Sequence, residues 1–166
     1  MSMKALSPRP RVENPHTGVA DREAVAEALV PVLADTYMLV VKTHACHWNV
    51  VGPLFHPIHE LTEAHYRNLF EAADELAERI RALGRLAPAN IAAMERASRV
   101  EETEEPGSAA EMVEALAADH ERLAHRLHAL IELAEGRRDW VTADLAIERS
   151  AFHEKALWML RAIVAE

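Results

Sequence analysis

The chain contains four long segments in which apolar residues recur every three or four positions. This spacing predicts amphipathic helices, because a half-buried strand would alternate apolar and polar residues instead. The inward stripe of the first segment consists of Val25, Leu29, Val32, Leu33, Thr36, Tyr37, Val40 and Val41. The stripes of the third and fourth segments consist of Met112, Leu116, Leu123, Leu127 and Leu130, and of Val141, Leu145, Phe152, Ala156, Met159 and Ile163. Four such helices predict an all-α four-helix bundle.

Residues that start and stop helices delimit the first two segments. Asp21 is a suitable N-cap for the first helix, and the Gly52-Pro53 pair ends it. Pro31 should either kink this helix or mark its true first turn. The second helix is predicted over residues 54–83, and Gly84 is a suitable residue to end it.

The link between the second and third helices, residues 85–107, is unusually long. An up-and-down bundle needs only short links, whereas one long crossover is typical of ferritin-like bundles. The middle of this link, Ile91 to Arg96, predicts a short extra helix. A capping box of Ser108 and Glu111 should begin the third helix, and the fourth should begin around Asp139.

We expect one domain over residues 21–166, preceded by a flexible tail over residues 1–20 that holds three prolines. The N-terminus lacks the apolar stretch of a secretion signal, and no apolar run approaches the ~18 residues of a membrane span. The single cysteine, Cys46, fits a reducing compartment. These features predict a cytoplasmic protein without a membrane partner.

The formal net charge is −9 with ten histidines counted as neutral. Such an acidic body disfavours nucleic-acid binding, since phosphate contacts require clustered Lys and Arg. It suits the handling of cations, because acidic surfaces concentrate positive ions. From the net charge alone, simple solubility is the preferred explanation.

The second helix carries a stripe of candidate metal ligands. His59 and Glu63 are four residues apart, as are Asp74 and Glu78, and the two pairs point in nearly the same direction on a helix. His47 lies twelve residues before His59. Imidazole with carboxylates suits iron, manganese or zinc. The alternative is a solvated helix face, although like charges four residues apart are mildly destabilising there.

Within one chain, the His59–Glu63 pair and the Asp74–Glu78 pair cannot bind the same metal ion. Glu63 and Asp74 lie roughly 16 Å apart along the helix, whereas metal–ligand bonds are about 2 Å long. Two helices packed antiparallel about a twofold axis would bring His59 and Glu63 against the partner's Asp74 and Glu78. A site inside one bundle is disfavoured, since no predicted helix carries the Glu-x-x-His motif of ferritin-type sites.

The stretch from Tyr37 to Gly84 closely resembles the Dps family (DNA-binding protein from starved cells). The resemblance rests on His47-Trp48-Asn49-Val50, Gly52-Pro53, Phe55, His59-Glu60-Leu61 and Ala77-Glu78-Arg79, and more loosely on Asp139, Thr142-Ala143-Asp144 and Trp158-Met159-Leu160. It implies a hollow shell of twelve identical subunits with ferroxidase sites at its twofold interfaces. It also implies that hydrogen peroxide is the preferred oxidant of Fe(II), and that Fe(III) is stored inside, protecting the cell from oxidative damage.

The resemblance also implies a role for each ligand. Asp74 and Glu78 of one chain would hold the more tightly bound iron with His47 of the partner. His59 and Glu63 would help to hold a second, weaker iron, so that each twofold site has two iron positions and no haem. Glu63 stands where many family members have Asp, so occupancy of the second position is in doubt.

Four further residues have both an implied role and a plain alternative. Trp48 would lie beside the site and intercept oxidising equivalents, or it packs in the core. Glu135, Asp139 and Asp144 would line a pore through which iron enters, or they form an acidic first turn that complements the dipole of the fourth helix. His44 and Cys46 are interpreted as packing residues, and His56 and His65 receive no role. The remaining histidines of the third and fourth helices are expected to be interfacial or exposed; they are His120, His125, His128 and His153.

DNA binding is the second function that the resemblance raises. Family members that compact DNA do so mainly with Lys-rich tails, whereas this tail offers Lys4, Arg9 and Arg11 beside Glu13. We expect at most weak, salt-sensitive binding, in keeping with a location near the nucleoid. The alternative to a ferroxidase is a DNA-compacting shell with a vestigial metal site. A cage for zinc or manganese is a third alternative.

Overall fold

The computed structural model describes residues 9–101 and 105–165, and these residues form five helices and no strand. The helices are α1 (Arg22–Asn49), α2 (Phe55–Ala82), α3 (Ile91–Ala97), α4 (Ala109–Gly136) and α5 (Trp140–Ile163). α1 packs against α2, and α4 packs against α5. The two pairs meet mainly through α1 and α4, while α3 lies against α1. The predicted four-helix bundle with a short extra helix in its crossover is confirmed.

The predicted capping residues form the helix ends. The Asp21 side chain accepts a hydrogen bond from the backbone N–H of Ala24, and Ser108 and Glu111 form the reciprocal capping box. Gly84 has φ of +89°, the left-handed conformation that glycine adopts without steric cost. α1 begins at Arg22 and is continuous through Pro31, so Pro31 does not mark a first turn.

The core consists of two clusters of buried apolar residues along the bundle. One cluster includes Leu29 and Leu33 of α1, and the other includes Leu39. Two residues of the predicted stripes are misplaced, because Val41 is 52% exposed and Val141 is 62% exposed. Each sits two residues from a buried one, and two helical steps of about 100° turn a side chain to the opposite face.

The end of the crossover is held on the bundle by the buried carboxylate of Asp35 on α1. It accepts hydrogen bonds from Ser98 Oγ over 2.9 Å and from the backbone N–H of Arg99 over 2.6 Å. Arg126 of α4 lies 3.0 Å from its other oxygen. One carboxylate therefore joins α1, the crossover and α4.

By length and composition alone, α1 could cross a membrane. This differs from the expectation that the sequence contains no apolar run long enough for a membrane span. Most of its apolar stretch is buried in the bundle, and core helices commonly meet the same criterion. α1 is therefore the core helix of this fold and gives no clear sign of a membrane span.

Two backbone N–H groups of the segment before α1 donate hydrogen bonds to the ends of bundle helices. The backbone N–H of Glu13 donates to the Gly84 carbonyl over 2.9 Å, and that of Ala20 donates to the Arg137 carbonyl over 2.8 Å. Residues 1–8 of the predicted tail lie outside the described residues. The flexibility of residues 1–20 and the boundary at residue 21 stay predictions.

Candidate metal centre

His47 and His59 hold each other in place across the α1–α2 turn. Their rings stack with centroids 3.7 Å apart and planes at 16°. Nδ1 of His47 lies 2.9 Å from the His59 carbonyl oxygen, and Nδ1 of His59 lies 2.8 Å from the His47 carbonyl oxygen. A carbonyl oxygen only accepts, so each Nδ1 carries the proton and donates it. Each Nε2 therefore keeps a lone pair for a metal ion.

Glu63 follows His59 by one helical turn, and its side chain is 37% exposed. It forms an ion pair with Arg67, four residues further along α2. The guanidinium and a metal ion would compete for the same carboxylate. This pairing agrees with a weaker second metal position on the side of His59.

Asp74 and Glu78 are exposed on α2, three turns beyond Glu63. Over residues 9–101 and 105–165, no three His, Cys, Asp or Glu side chains come close enough to hold one metal ion. The chain therefore brings the two histidines together, with Glu63 one helical turn beyond His59, and leaves the carboxylates of Asp74 and Glu78 apart from them. In one subunit the candidate site has two separate halves.

Aromatic rings surround the histidine half. The Trp48 side chain is 69% exposed and stacks on His44 with centroids 5.1 Å apart, so it does not pack in the core of its own chain. His44 in turn lies against Tyr66 at 3.8 Å, and the Tyr66 ring edge faces His47. Burial, and secondly the neighbouring His47, lower the pKa of His44.

The thiol of Cys46 is buried and takes no part in this arrangement. Its side chain is 3% exposed, and burial raises its pKa to about 11. A protonated thiol is a poor metal ligand. This agrees with the interpretation of Cys46 as a packing residue.

The three residues of the implied pore are placed differently. Glu135 and Asp144 are exposed, whereas Asp139 is 1% exposed. Asp139 caps α5 by accepting from the backbone N–H of Thr142 over 3.0 Å, and it pairs with Arg79 over 2.6 Å. Its carboxylate therefore has a structural role in capping α5 and anchoring α2, whether or not Glu135 and Asp144 line a pore.

Two histidines expected at the surface or an interface are buried in the bundle instead. His120 is 0% exposed and His153 is 1% exposed, and each lies near His65, whereas His125 and His128 are exposed as expected. The prediction for His120 and His153 was wrong. Their register carried the signal: four residues separate Leu116 from His120, and seven separate His153 from Leu160, which is core spacing on a helix.

A sequence model of the ferritin-like domain matches residues 26–166. "DNA protection during starvation protein 2" of Bacillus anthracis is 36% identical over 140 residues, which cover 84% of this chain and 96% of that protein. The crystal structure of Dps from Staphylococcus aureus is 30% identical and has a TM-score of 0.85, covering 89% of this chain and 99% of that one.

A further solved structure is the Dps protein of Vibrio cholerae O1, described as a member of a broad superfamily of ferritin-like diiron-carboxylate proteins. It is 28% identical with a TM-score of 0.82, covering 86% of this chain and 90% of that one. The five helices and the matched sequences define a ferritin-like protein, and within that class the chain belongs to the Dps family.

Proposed function

We propose that the chain is the ferroxidase and iron-storage subunit of a hollow homo-oligomeric shell, with twelve subunits as the expected number. The observation that carries the proposal is the mutual anchoring of His47 and His59. Their Nδ1 protons are engaged by backbone carbonyls over 2.9 and 2.8 Å, which leaves both Nε2 lone pairs for metal ions, and Glu63 lies one helical turn beyond His59. Such fixed imidazoles are typical of metal ligands.

The second half of the site would come from another subunit. Asp74 and Glu78 are exposed on the same helix, so an antiparallel α2 of a partner could present its own pair to His47, His59 and Glu63. Each twofold interface would then contain two equivalent sites. His47 with the partner's carboxylates would bind the first Fe(II), and His59 with Glu63 would bind the second.

The chemistry is a two-electron reduction of hydrogen peroxide by two Fe(II) ions. H2O2, two Fe(II) and two protons give two Fe(III) and two waters, so no hydroxyl radical is released. The chain contributes the positions of both ions and an opening for a small oxidant. The exposed Trp48 ring, close to His44 and His47, would donate an electron when only one Fe(II) is present. Fe(III) would then collect inside the shell.

Oxidation of Fe(II) by peroxide in the absence of oxygen tests the proposal. We expect Asp74→Ala/Glu78→Ala to lose most of the activity while the shell still forms. Glu71→Ala is the control, because it also removes an exposed carboxylate from α2. Unchanged oxidation by the Asp74→Ala/Glu78→Ala shell would contradict the site.

The name of the Bacillus anthracis relative supports a second candidate, a shell that protects DNA by binding it. The net charge of −9 opposes this, and Arg11 of the tail has its guanidinium 3.8 Å from Glu13. We therefore expect weak binding that salt abolishes. A gel-shift assay at physiological salt tests it, and tight binding that survives deletion of residues 1–13 would contradict the role given to the tail.

The proposal includes a cytoplasmic location, where Fe(II) and peroxide meet.

Zinc and manganese would compete for the same nitrogen and oxygen ligands. Fe(II) titration in the presence of each ion would show which one the site prefers.

A further inference from the structure

His120 of α4 and His153 of α5 form a buried histidine pair between these two helices. Their Nδ1 atoms lie 2.9 Å apart, and their ring centroids lie 5.0 Å apart. The two side chains are 0% and 1% exposed. The ring of His65 on α2 approaches His120 with its centroid at 5.4 Å. The metal-site proposal uses none of these three rings.

The short contact requires one Nδ1 to donate and the other to accept. Within the described residues, Nε2 of His120 is buried without a hydrogen-bond partner. A buried N–H without an acceptor is costly, whereas a bare lone pair is tolerated more often. We therefore assign the donated proton to Nδ1 of His120, and the second proton of the pair to Nε2 of His153. Both rings are neutral in this arrangement.

On α5, the guanidinium of Arg149 puts a positive charge close enough to act on both rings of the buried histidine pair. Arg149 is 4% exposed, donates to Asn68 Oδ1 over 2.7 Å, and is balanced by Glu75 and Glu148. From α2, the pair faces His65. These neighbours offer no negative charge to an imidazolium, since the two glutamates act on Arg149.

The acid that precedes His120 on α4, Asp119, is already engaged. Lys42 of α1 lies 2.6 Å from one of its oxygens, and Arg122 pairs with the other. In the described part of the chain, no carboxylate is hydrogen-bonded to either ring of the pair. A proton added there would create a buried charge without a counter-charge, which is strongly unfavourable.

We propose that the buried histidine pair is an acid-sensitive lock: it joins α4 to α5 while both rings are neutral, and it stabilises the folded chain less and less as the surroundings become mildly acidic. Burial is the first cause that lowers the pKa of His120, to about 3, followed by the electrostatic effects of His65 and Arg149. Burial also lowers the pKa of His153, followed by the electrostatic effects of His120, Arg149 and His65.

The direction of the pH effect follows from proton uptake. In the unfolded chain both histidines titrate near their usual pKa of about 6.5. Between that pH and the lowered pKa values, unfolding takes up as many as two protons at the pair. The unfolding equilibrium constant should therefore rise by up to about 100-fold for each pH unit of acidification. Stability from the pair is fully present only above about pH 6.5.

Urea unfolding of the full-length, metal-free protein between about pH 7.5 and about pH 5 tests the lock. His120→Asn/His153→Asn places amide groups near the Nδ1 positions but cannot titrate. On unfolding, we expect this variant to take up about two protons fewer than the wild type, and His153→Asn alone to take up about one fewer. His125→Asn is the control, because it makes the same change at an exposed position of α4. The number of protons that this control takes up on unfolding should match that of the wild type.

Hydrogen exchange at the imidazole C2 position, followed by mass spectrometry, measures the pKa of each histidine in the folded wild-type protein. This measurement does not depend on whether the double variant folds. His120 and His153 should remain neutral at about pH 5. A pKa near 6.5 for either buried ring would overturn the lock. So would a folded double variant with the pH dependence of the wild type.

Discussion

Arg79 donates a hydrogen bond from Nη2 to Asp139 Oδ1 over 2.6 Å, and its Nε donates to Thr142 Oγ1 over 2.8 Å. Arg79 follows Glu78 directly, so this contact ties the carboxylate half of the proposed site to the first turn of α5. Burial alone raises the pKa of Asp139. The hydrogen bonds from Arg79 and Thr142, with the charge of Arg79, outweigh burial and keep that pKa below its usual value.

Replacing Asp139 by Ala should destabilise the subunit by about 3 kcal/mol at pH 7, since it removes the cap and leaves Arg79 partly buried without its partner. The pKa of Asp139 is lower in the folded chain than in the unfolded one. Its contribution is therefore present above about pH 4 and is lost as the pH falls through the folded pKa. Urea unfolding should show that the difference in the free energy of unfolding between the variant and the wild type becomes smaller in acid. Asp144→Ala, an exposed change in the next turn, should stay within about 0.5 kcal/mol.

Mixing two inactive subunits should restore part of the activity if two chains share each site. One subunit carries His47→Ala/His59→Ala, and the other carries Asp74→Ala/Glu78→Ala. Random pairing makes half of the dimers mixed, and one of the two sites in each mixed dimer is intact, so about a quarter of wild-type oxidation should return. The assay is Fe(II) oxidation by peroxide after refolding the two chains together. Activity that stays at the level of the separate variants would exclude a shared site.

Gly84→Ala should destabilise the fold at the end of α2. Gly84 has φ of +89°, which costs a residue with a side chain about 1–2 kcal/mol. An added Cβ would also overlap the Glu13 carbonyl oxygen, so the segment before α1 must move away. We expect a lower midpoint of thermal unfolding and faster proteolysis between residues 9 and 20. Gly136→Ala is the matched control: it has open space at its Cβ and should be neutral or stabilising.

Cys46 should be nearly inert towards thiol reagents in the folded protein. With its pKa raised to about 11, roughly one thiol in a thousand is ionised at pH 8, and burial blocks access to it as well. A colorimetric disulfide reagent should label the thiol rapidly in denaturant and orders of magnitude more slowly in native buffer. Rapid labelling of the native protein would show that the α1–α4 contact opens easily.

The helices could be predicted closely because their ends carry local chemical signals. Asp21, Gly84 and the Ser108–Glu111 box each act within one helical turn, so neighbours in sequence determine them. The short helix in the crossover was also visible, although it ends one residue later than predicted, at Ala97. Spacing alone also showed that Asp74 and Glu78 are too far from Glu63 to share a metal ion in one chain.

Contacts between distant segments could not be predicted in the same way. His120 and His153 are 33 residues apart, and nothing local distinguishes a histidine that pairs in the core from one at the surface. Asp139 likewise fits an acidic helix start, a pore or a buried ion pair, and only the position of Arg79 on another helix identifies the ion pair. Trp48 follows a buried residue at a helix end, where the direction of the turn decides its exposure.

Because of the paired hydrogen bonds between His47 and His59, the two imidazole rings lose their freedom to rotate during folding. Each ring is held by the backbone of the other as soon as α1 and α2 pack, before any cation arrives. The rotational entropy of both side chains is therefore lost during folding, and capture of an ion need not order them again. In the proposed site, the two nitrogen ligands would thus be in place within each chain before the subunits meet, and subunit association would only have to add the partner's carboxylates.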